Sequence, residues 1–154
     1  MRKLASSART ARGYALAAGL FSLSALPACA QQLDRAAVTR WLAGYEQAWE
    51  ARDADRAAAL FTPDAKYHEM PFDAPKDGRA GIREYWSTVT ADQRNIDFTY
   101  DVVAVEGNRG VAHWHAAFET TAGAKIELDG VFVLTIGTDG LCRELREWWH
   151  IKGP

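Results

Sequence analysis

The sequence predicts an α+β fold in which three helices precede a mainly antiparallel sheet. From residue 31 to residue 89, apolar residues recur three and four positions apart, which is the period of an amphipathic helix. From residue 96 to residue 150, apolar and polar residues alternate, which is typical of strands. Helices first and strands afterwards indicate a meander rather than alternating β-α-β units. We therefore expect a curved sheet with the helices lying across its concave face.

Capping residues delimit the predicted helices. Asp34 is a suitable N-cap for a first helix over residues 31–52, and Asp53 caps a short second helix that runs to residue 61. The third helix is predicted over residues 79–89. The first helix carries a bulky apolar stripe, formed by Val38, Trp41, Leu42, Tyr45, Ala48 and Trp49. Such a stripe must face a core.

One short and four long strands are predicted. The short strand covers residues 65–70 and ends before Pro71. The long strands cover residues 96–106, 110–120, 125–136 and 141–150. A period of two gives the last two strands an inner face, formed by Leu128, Gly130, Phe132, Leu134 and Ile136 on one and by Leu141, Leu145, Glu147 and Trp149 on the other. The same period points Cys142 outward. Glu147 is therefore a carboxylate among apolar neighbours.

The first thirty residues are typical of an export signal. Four basic residues and no acid precede an apolar segment over residues 15–26, and Ala28-Cys-Ala30 is a small-residue cleavage site. The apolar segment is too short to span a membrane. We therefore predict a signal peptide over residues 1–30 and a periplasmic or secreted domain over residues 31–154. Alternatively, Leu26-Pro-Ala-Cys29 is a lipobox and Cys29 carries a lipid anchor.

The mature domain is acidic. Cleavage after residue 30 removes four basic residues and no acid, which changes the formal net charge of the chain from −2 to −6. An acidic domain without a basic stripe argues against nucleic acid and anionic membranes as partners. If Cys29 leaves with the signal, Cys142 has no partner for an intramolecular disulfide. Core packing must then hold the fold.

Four sequence segments resemble the SnoaL-like group of the nuclear-transport-factor-2-like superfamily. These segments are Glu46-Gln-Ala-Trp-Glu-Ala-Arg-Asp53, Ala59-Leu-Phe-Thr-Pro-Asp64, Gly81-Ile-Arg-Glu-Tyr-Trp86 and Asp129-Gly-Val-Phe-Val-Leu134. The likeness extends from about residue 33 to residue 150. It implies a cone-shaped domain with a pocket between the first helix and the sheet. Because the superfamily holds isomerases, dehydratases, cyclases, hydrolases and binders, the resemblance implies no single activity.

Ketosteroid isomerase is the member of that superfamily whose chemistry gives the sharpest test. The resemblance places Tyr45 at the position of its oxyanion-binding tyrosine. It places Met70 at the position of the general-base aspartate and Phe132 at that of the protonated aspartate. Methionine cannot take up a proton and phenylalanine cannot donate one, so this reaction is not expected here. No cofactor is expected either, because no phosphate loop, dinucleotide fingerprint or zinc signature is present.

Strand parity and the resemblance together predict an aromatic pocket with few polar groups. The proposed catalytic residues are Glu147 as general base, His68 as the second acid–base group and Tyr45 as donor to a developing oxyanion. The proposed ligand-binding residues are Trp41, Trp49, Met70, Trp86, Trp114, Phe132 and Trp149. A mostly apolar cavity with sparse polar groups is typical of a small-ligand site. Burial raises the pKa of a carboxyl group toward neutrality.

Each proposed catalytic residue has a structural alternative. Glu147 could form a buried ion pair with Arg143, since an unpaired buried carboxylate is costly. His68 could be a core histidine bonded to the backbone, and Tyr45 could pack in the core with its hydroxyl on His68. On the short strand, alternation does not decide whether His68 or the opposite face, with Tyr67 and Glu69, points inward.

The outer face of the sheet predicts an interface between two copies of the chain. His113 and His115 have a spacing that can bind a metal, but no cysteine or carboxylate accompanies them at motif spacing, so no metal site is predicted. The same face carries Val131, Val133, Trp148 and His150. Apolar area of this kind is usually covered, and we expect a homodimer.

Two functions of different classes remain open at the level of the sequence. The first is a cofactor-free enzyme that acts by acid–base chemistry on a small apolar or aromatic substrate. The second is a non-catalytic periplasmic binder or accessory dimer whose pocket only holds such a molecule. An open cavity with Glu147 close to His68 or Tyr45 favours the first function, and a filled cavity with Glu147 paired with an arginine favours the second.

Overall fold

The computed structural model of the protein describes residues 33–152. The predicted signal peptide, its cleavage site and Cys29 lie outside these residues. The chain forms α1 (Arg35–Glu50), α2 (Ala54–Ala59), β1 (Phe61–His68), β2 (Lys76–Asp77), α3 (Gly78–Val89), a 3-10 turn (Thr90–Asp92), β3 (Gln93–Glu106), β4 (Arg109–Thr120), β5 (Lys125–Ile136) and β6 (Cys142–Ile151). The predicted α+β class is confirmed.

The six strands form one curved sheet in the order β2-β1-β6-β5-β4-β3. All neighbours are antiparallel except β1 and β6, which are parallel. The four long strands are therefore the predicted meander. β1 joins its open edge and brings the end of α2 beside the last strand of the chain. This pairing places residues of β1 next to Glu147 on β6.

The helices begin at the predicted caps. The side chain of Asp34 accepts a hydrogen bond from the backbone N–H of Ala37, and that of Asp53 accepts one from Arg56. These bonds satisfy N–H groups that a helix leaves free in its first turn. The predicted stripe of α1 is buried in full, from Val38 to Trp49. It packs against the concave face of the sheet and forms one wall of the core.

β1 begins four residues earlier than predicted, at Phe61 instead of residue 65. Pro63 lies within the strand, although proline cannot donate a backbone hydrogen bond. The strand tolerates it because the pairing of β1 with β6 is irregular between Phe61 and Lys66. Pro63 therefore lies where the regular hydrogen-bond ladder is interrupted.

A β-bulge in the last hairpin corrects the prediction for Cys142. Thr135 lies opposite Glu144, but the next residue, Ile136, lies opposite Cys142. Arg143 is the extra residue of β6. Residues of β6 that precede Arg143 therefore face the side of the sheet opposite to the one that regular alternation predicts. Cys142 is consequently fully buried rather than outward, and burial raises the pKa of its thiol to about 12.

Candidate functional site

A cavity of about 350 Å³ lies between the helices and the concave face of the sheet. Cavities of this size are sufficient for a small organic ligand. Its walls are mainly aromatic and aliphatic and come from α1, α3, the end of β1 and the four long strands. The lining residues are Tyr45, Trp49, Tyr67, Glu69, Tyr85, Trp86, Val89, Gln93, Trp114, Phe118, Thr120, Ile126, Leu128, Glu147, Trp149 and Ile151.

Glu147 is the buried carboxyl group of this cavity. It lies opposite Phe132 on the inner face, as the strand parity predicts, and only 5% of its surface is exposed. Burial raises its pKa to about 8, and the charge of Glu69 adds to this increase, while a hydrogen bond from Tyr67 opposes it. At pH 7 the neutral carboxylic acid is therefore the favoured form.

The alternative ion pair between Glu147 and Arg143 is not formed. The guanidinium of Arg143 binds Asp139, with Nη1 at 3.1 Å from Oδ1. The bulge turns Arg143 away from the inner face, on which Glu147 lies. Glu147 is thus compensated by a phenol and not by a cation.

Two tyrosines form a hydrogen-bonded chain that ends at Glu147. The hydroxyl of Tyr67 donates to Oε1 of Glu147 at 3.0 Å, and the hydroxyls of Tyr45 and Tyr67 are 3.1 Å apart. Because Tyr67 uses its single hydrogen on Glu147, Tyr45 must be the donor to Tyr67. Tyr45 lines the cavity as predicted, but its hydrogen is used on Tyr67 in this structure, and its role as direct donor to a substrate oxyanion stays a prediction.

Both phenols remain neutral. Burial raises the pKa of Tyr67 and that of Tyr45 well above the ordinary value for tyrosine, and the charge of Glu147 raises them further. Each hydroxyl can then act only as a hydrogen-bond donor or acceptor near neutral pH. The chain Tyr45–Tyr67–Glu147 positions one oxygen of the carboxyl group. The other oxygen, Oε2, has no hydrogen-bond partner among residues 33–152.

A second carboxylate lines the cavity beside this chain. Glu69 follows the end of β1, and its Oε2 lies 3.4 Å from the ammonium nitrogen of Lys76. The same ammonium group lies 5.0 Å from the ring centroid of Tyr85. This arrangement is a cation–π contact combined with an ion pair. The carboxylate of Glu69 is therefore neutralised by an ion pair with Lys76, whereas Glu147 has only the hydrogen bond from Tyr67.

Four of the seven predicted ligand-binding residues line the cavity: Trp49, Trp86, Trp114 and Trp149. Two others are buried in the core behind the wall. Trp41 donates its indole N–H to the carbonyl oxygen of Leu60 at 3.0 Å. Phe132 is fully buried, with its ring centroid 5.3 Å from that of Tyr45. Both support the cavity wall without lining it.

The predicted positions of His68 and Met70 in the cavity are wrong. In the parallel pairing of β1 with β6, Tyr67 lies opposite the inward Leu145 and His68 lies opposite the exposed Arg146. His68 faces outward, with Nε2 at 3.2 Å from Oε1 of Glu144. Met70 follows the end of β1 and is 43% exposed. The face with Tyr67 and Glu69 is the inward one.

Sequence reasoning missed Tyr67, Glu69, Tyr85 and Gln93 as lining residues. The first two lie on the face of the short strand that alternation left undecided. A parallel pairing with β6 would have selected that face, but no local pattern predicts this long-range pairing. Gln93 was missed because the regular alternation of β3 begins only after Asn95, which has a positive φ of 51°.

Comparison with known proteins agrees with this architecture. The family model of the SnoaL-like domain matches residues 38–145. The epoxide hydrolase/cyclase-like enzyme SalBIII, which has a role in pyran ring formation in the polyether salinomycin, is 19% identical. Its structure has a TM-score of 0.66, and the match covers 76% of this chain and 93% of SalBIII.

Two further solved structures share the fold. A protein of ketosteroid isomerase-like fold from Catenulispora acidiphila, in complex with trimethylamine, is 14% identical with a TM-score of 0.63, over 70% of this chain and 83% of its own. The Mycobacterium tuberculosis protein RV0760c, in complex with estradiol-17beta-hemisuccinate, is 16% identical with a TM-score of 0.65, over 80% of this chain and 100% of its own. At these identities the likeness shows the fold alone. The search of curated protein sequences found no significant match.

The described residues hold no cluster of three or more potential metal ligands. His113 and His115 instead contact carboxylates on the outer face, Asp129 at 3.0 Å and Glu127 at 3.9 Å. No helix within residues 33–152 is long and apolar enough to cross a membrane. The polar groups of the cavity wall are carboxyl, phenol, amide, hydroxyl and indole N–H groups.

Proposed function

Because this chain belongs to the SnoaL-like family and carries a buried carboxyl group in an aromatic cavity, we propose that it is a cofactor-free enzyme acting by acid–base chemistry. The substrate is a small apolar or aromatic molecule. The observation that supports this function is Glu147, whose pKa of about 8 is suited to proton transfer near neutral pH. A carboxyl group kept only for packing would not need an accessible oxygen at the wall of a cavity.

Glu147 begins the reaction as an acid in this proposal. Its Oε2 gives a proton to a substrate oxygen, and the negative charge left on the carboxylate is stabilised at Oε1 by the hydrogen bond from Tyr67. Tyr45 holds the hydroxyl of Tyr67 in position through its own hydrogen. The carboxylate then takes a proton back from a carbon or oxygen of the substrate, or from a water molecule whose oxygen adds to the substrate, which restores the starting state.

This proton cycle is compatible with isomerisation, dehydration, cyclisation or hydrolysis. Each of these reactions begins either with protonation of a substrate oxygen or with removal of a proton from an atom close to such an oxygen. The SalBIII structure lends support to the cyclisation and hydrolysis classes, since that protein is described as epoxide hydrolase/cyclase-like. The dry, aromatic wall would bind the apolar part of the substrate and keep water from the reacting atoms.

The proposal is tested by identifying the ligand and then measuring turnover. Mass spectrometry of the small molecules that co-purify with the mature protein supplies substrate candidates. We expect Glu147→Gln to lower kcat/KM by roughly 10²- to 10⁴-fold, because the amide cannot transfer a proton. Tyr67→Phe should lower it less and should raise the pH at which activity is lost, because its hydrogen bond lowers the pKa of Glu147.

His68→Ala is the matched control for this experiment. His68 bonds Glu144 outside the cavity, so its removal should leave kcat/KM unchanged. Unchanged turnover in Glu147→Gln would contradict the proposal, as would a loss in His68→Ala equal to that in Glu147→Gln.

A non-catalytic binder is the second candidate. It draws support from RV0760c, whose fold is shared and which was crystallised with a steroid ester. In that case the co-purified molecule is recovered chemically unchanged after prolonged incubation, and Glu147→Gln alters its affinity without any effect on a reaction. An enzyme would instead convert the molecule, and only the wild-type protein would do so.

We also propose that residues 1–30 direct export and that the mature protein works outside the cytoplasm. The support is the order of basic residues, apolar segment and Ala28-Cys-Ala30 in the sequence. Intact-mass measurement of the protein recovered from the cell envelope should give a chain that begins at Gln31. A chain that begins at a lipidated Cys29 would establish the lipoprotein alternative, and a full-length chain would contradict export.

A further inference from the structure

Gln93 and Glu147 line the same cavity from widely separated rows of the sheet. Glu147 on β6 lies opposite Phe132 on β5, and Phe132 in turn lies opposite Ala112 on β4. Gln93 lies opposite Thr120, eight residues further along β4. The side chains on the inner face of β4 between these rows are Trp114, Ala116 and Phe118. The cavity therefore has one polar group in the Glu147 row and another in the Gln93 row, with apolar side chains between them.

The carboxamide of Gln93 has a fixed orientation. Its Oε1 accepts a hydrogen bond from the indole N–H of Trp49 at 2.7 Å. An indole nitrogen can only donate, so the oxygen and not the nitrogen of Gln93 must face Trp49. The Nε2 group therefore points away from Trp49 with two hydrogens.

Those two hydrogens have no acceptor among residues 33–152. Gln93 is 93% buried, because only 7% of its surface is exposed. The fully enclosed side-chain atoms that lack a partner in this part of the chain are Thr62 Oγ1, Trp86 Nε1 and Trp114 Nε1. Nε2 of Gln93 thus retains accessible surface, and the cavity is the space that Gln93 lines. A donor that reaches the cavity and has no protein acceptor is available to a ligand acceptor, which would replace water there.

Thr120 offers a second donor at the same place. It lines the cavity opposite Gln93, and its Oγ1 accepts the backbone N–H of Ala124 at 3.1 Å. Because that bond uses a lone pair, the hydroxyl hydrogen is free to donate to another group. Gln93 and Thr120 together present donors and no cation.

We propose that Gln93 and Thr120 form a subsite that binds an uncharged oxygen acceptor, such as a ketone, ester or ether oxygen, of an otherwise apolar ligand. An anionic ligand is disfavoured, since no Lys or Arg lines the cavity within residues 33–152 and the nearby Lys76 is already paired with Glu69. The ligand acceptor would lie in the Gln93 row, separate from the group that reacts with Glu147. This inference rests on the cavity being the functional pocket of the proposed function.

The test compares two probes of nearly the same shape, 2-acetylnaphthalene and 2-ethylnaphthalene, by calorimetric titration of the mature protein at pH 6. No proton is transferred in this assay, so a failure of the acid–base proposal would not affect it. We expect the ketone to bind roughly three- to tenfold more tightly than the hydrocarbon, which is the effect of one net hydrogen bond. A third probe, 2-naphthoate, should bind more weakly than the ketone.

Gln93→Met is the decisive variant. Methionine has a similar length, and its sulfur is a weak acceptor for Trp49, but it has no hydrogen to donate, so the preference for the ketone should fall to within about twofold while the hydrocarbon binds as before. Thr120→Val is a second variant at a partly exposed position and should reduce the preference in part. An unchanged near-ultraviolet circular dichroism spectrum shows that Trp49 keeps its place.

His68→Ala is the matched control, because His68 bonds Glu144 outside the cavity, and it should keep the ketone preference. Retention of the preference in both Gln93→Met and Thr120→Val would overturn the proposal, because the acceptor would then bind elsewhere in the cavity. Equal binding of the two probes to the wild-type protein would overturn it as well, as would tighter binding of 2-naphthoate than of the ketone. If neither naphthalene binds to the folded protein, the subsite is likewise rejected.

Discussion

Glu147 couples the protonation of the cavity to the stability of the fold. In the unfolded chain its carboxyl group has an ordinary pKa near 4.3, whereas in the folded protein the pKa is about 8. Between these two values the folded state holds a proton that the unfolded state has released. Stability therefore falls as the pH rises through this range, because the folded protein must bury a charge once it loses the proton.

We predict that Glu147→Gln becomes more stable relative to the wild type as the pH increases. The amide never ionises, so it avoids the burial cost that the carboxylate incurs above pH 8. The difference in free energy of unfolding should change by roughly 3–5 kcal/mol between pH 4 and pH 9, at about 1.4 kcal/mol per unit of pKa shift. Urea denaturation of both proteins at several pH values measures this difference. A difference that does not vary with pH would show that Glu147 titrates normally.

At the residue scale, the sequence alone predicts that the carboxyl group of Glu147 faces the core, but it does not predict that Tyr67 is its hydrogen-bond partner. Alternation along the last strand is regular after the bulge, so the inward position of Glu147 follows from apolar neighbours two residues away. Tyr67 lies on a short strand of which only Ala65 and Tyr67 are regular inner positions, and the choice of face depends on parallel pairing with β6. That pairing joins residues about eighty positions apart, which no local pattern encodes.

At the element scale, the prediction is best where long strands pair with their neighbours in the chain. β5 has the predicted ends, Lys125 and Ile136, and β4 begins one residue early, because both strands have long regular alternation and glycine-containing turns. β2 was missed because it has two residues and forms only through pairing with β1. The bulge at Arg143 was missed because it depends on the register of β5 against β6. Without the bulge, strand alternation wrongly predicts that Cys142 faces outward.

Gly130 on β5 leaves no room for a side chain beside Trp114, which lines the cavity. A Cβ atom at this position would lie 2.6 Å from Cζ2 of Trp114 and 2.7 Å from the carbonyl oxygen of Trp148. We predict that Gly130→Ala lowers the free energy of unfolding by about 1–3 kcal/mol and shifts the tryptophan fluorescence, because the ring of Trp114 must move. Both quantities follow from one fluorescence-monitored urea titration.

Gly81→Ala is the matched control for this substitution. Gly81 lies inside α3, and a Cβ atom there would be 3.6 Å from its nearest neighbour, which is an ordinary contact. Alanine should stabilise the helix by about 0.5–1 kcal/mol, since glycine is the poorer helix former. A neutral or stabilising effect of Gly130→Ala would show that the cavity wall is looser than this packing implies.

At the scale of the whole molecule, the sheet has one face covered by helices and one face open. Trp148 lies on the open face beside Val131 and is 47% exposed, and Val133 is half-buried next to them. His113 and His115 continue this face and contact the carboxylates of Asp129 and Glu127. An apolar centre with a charged margin resembles the composition of protein interfaces. This arrangement supports the proposed homodimer.

We predict that the mature protein is a dimer through this face and that Trp148→Glu makes it monomeric. A carboxylate at the centre of the face would be buried without a partner in the dimer, which costs more than the association can supply at micromolar concentration. Phe72→Glu is the control, because Phe72 is 100% exposed in the loop after β1, away from the sheet face. Light scattering of the three proteins should give dimer, monomer and dimer masses in that order. A monomer mass for the wild-type protein at micromolar concentration contradicts the interface, and a dimer mass for Trp148→Glu moves it to another surface.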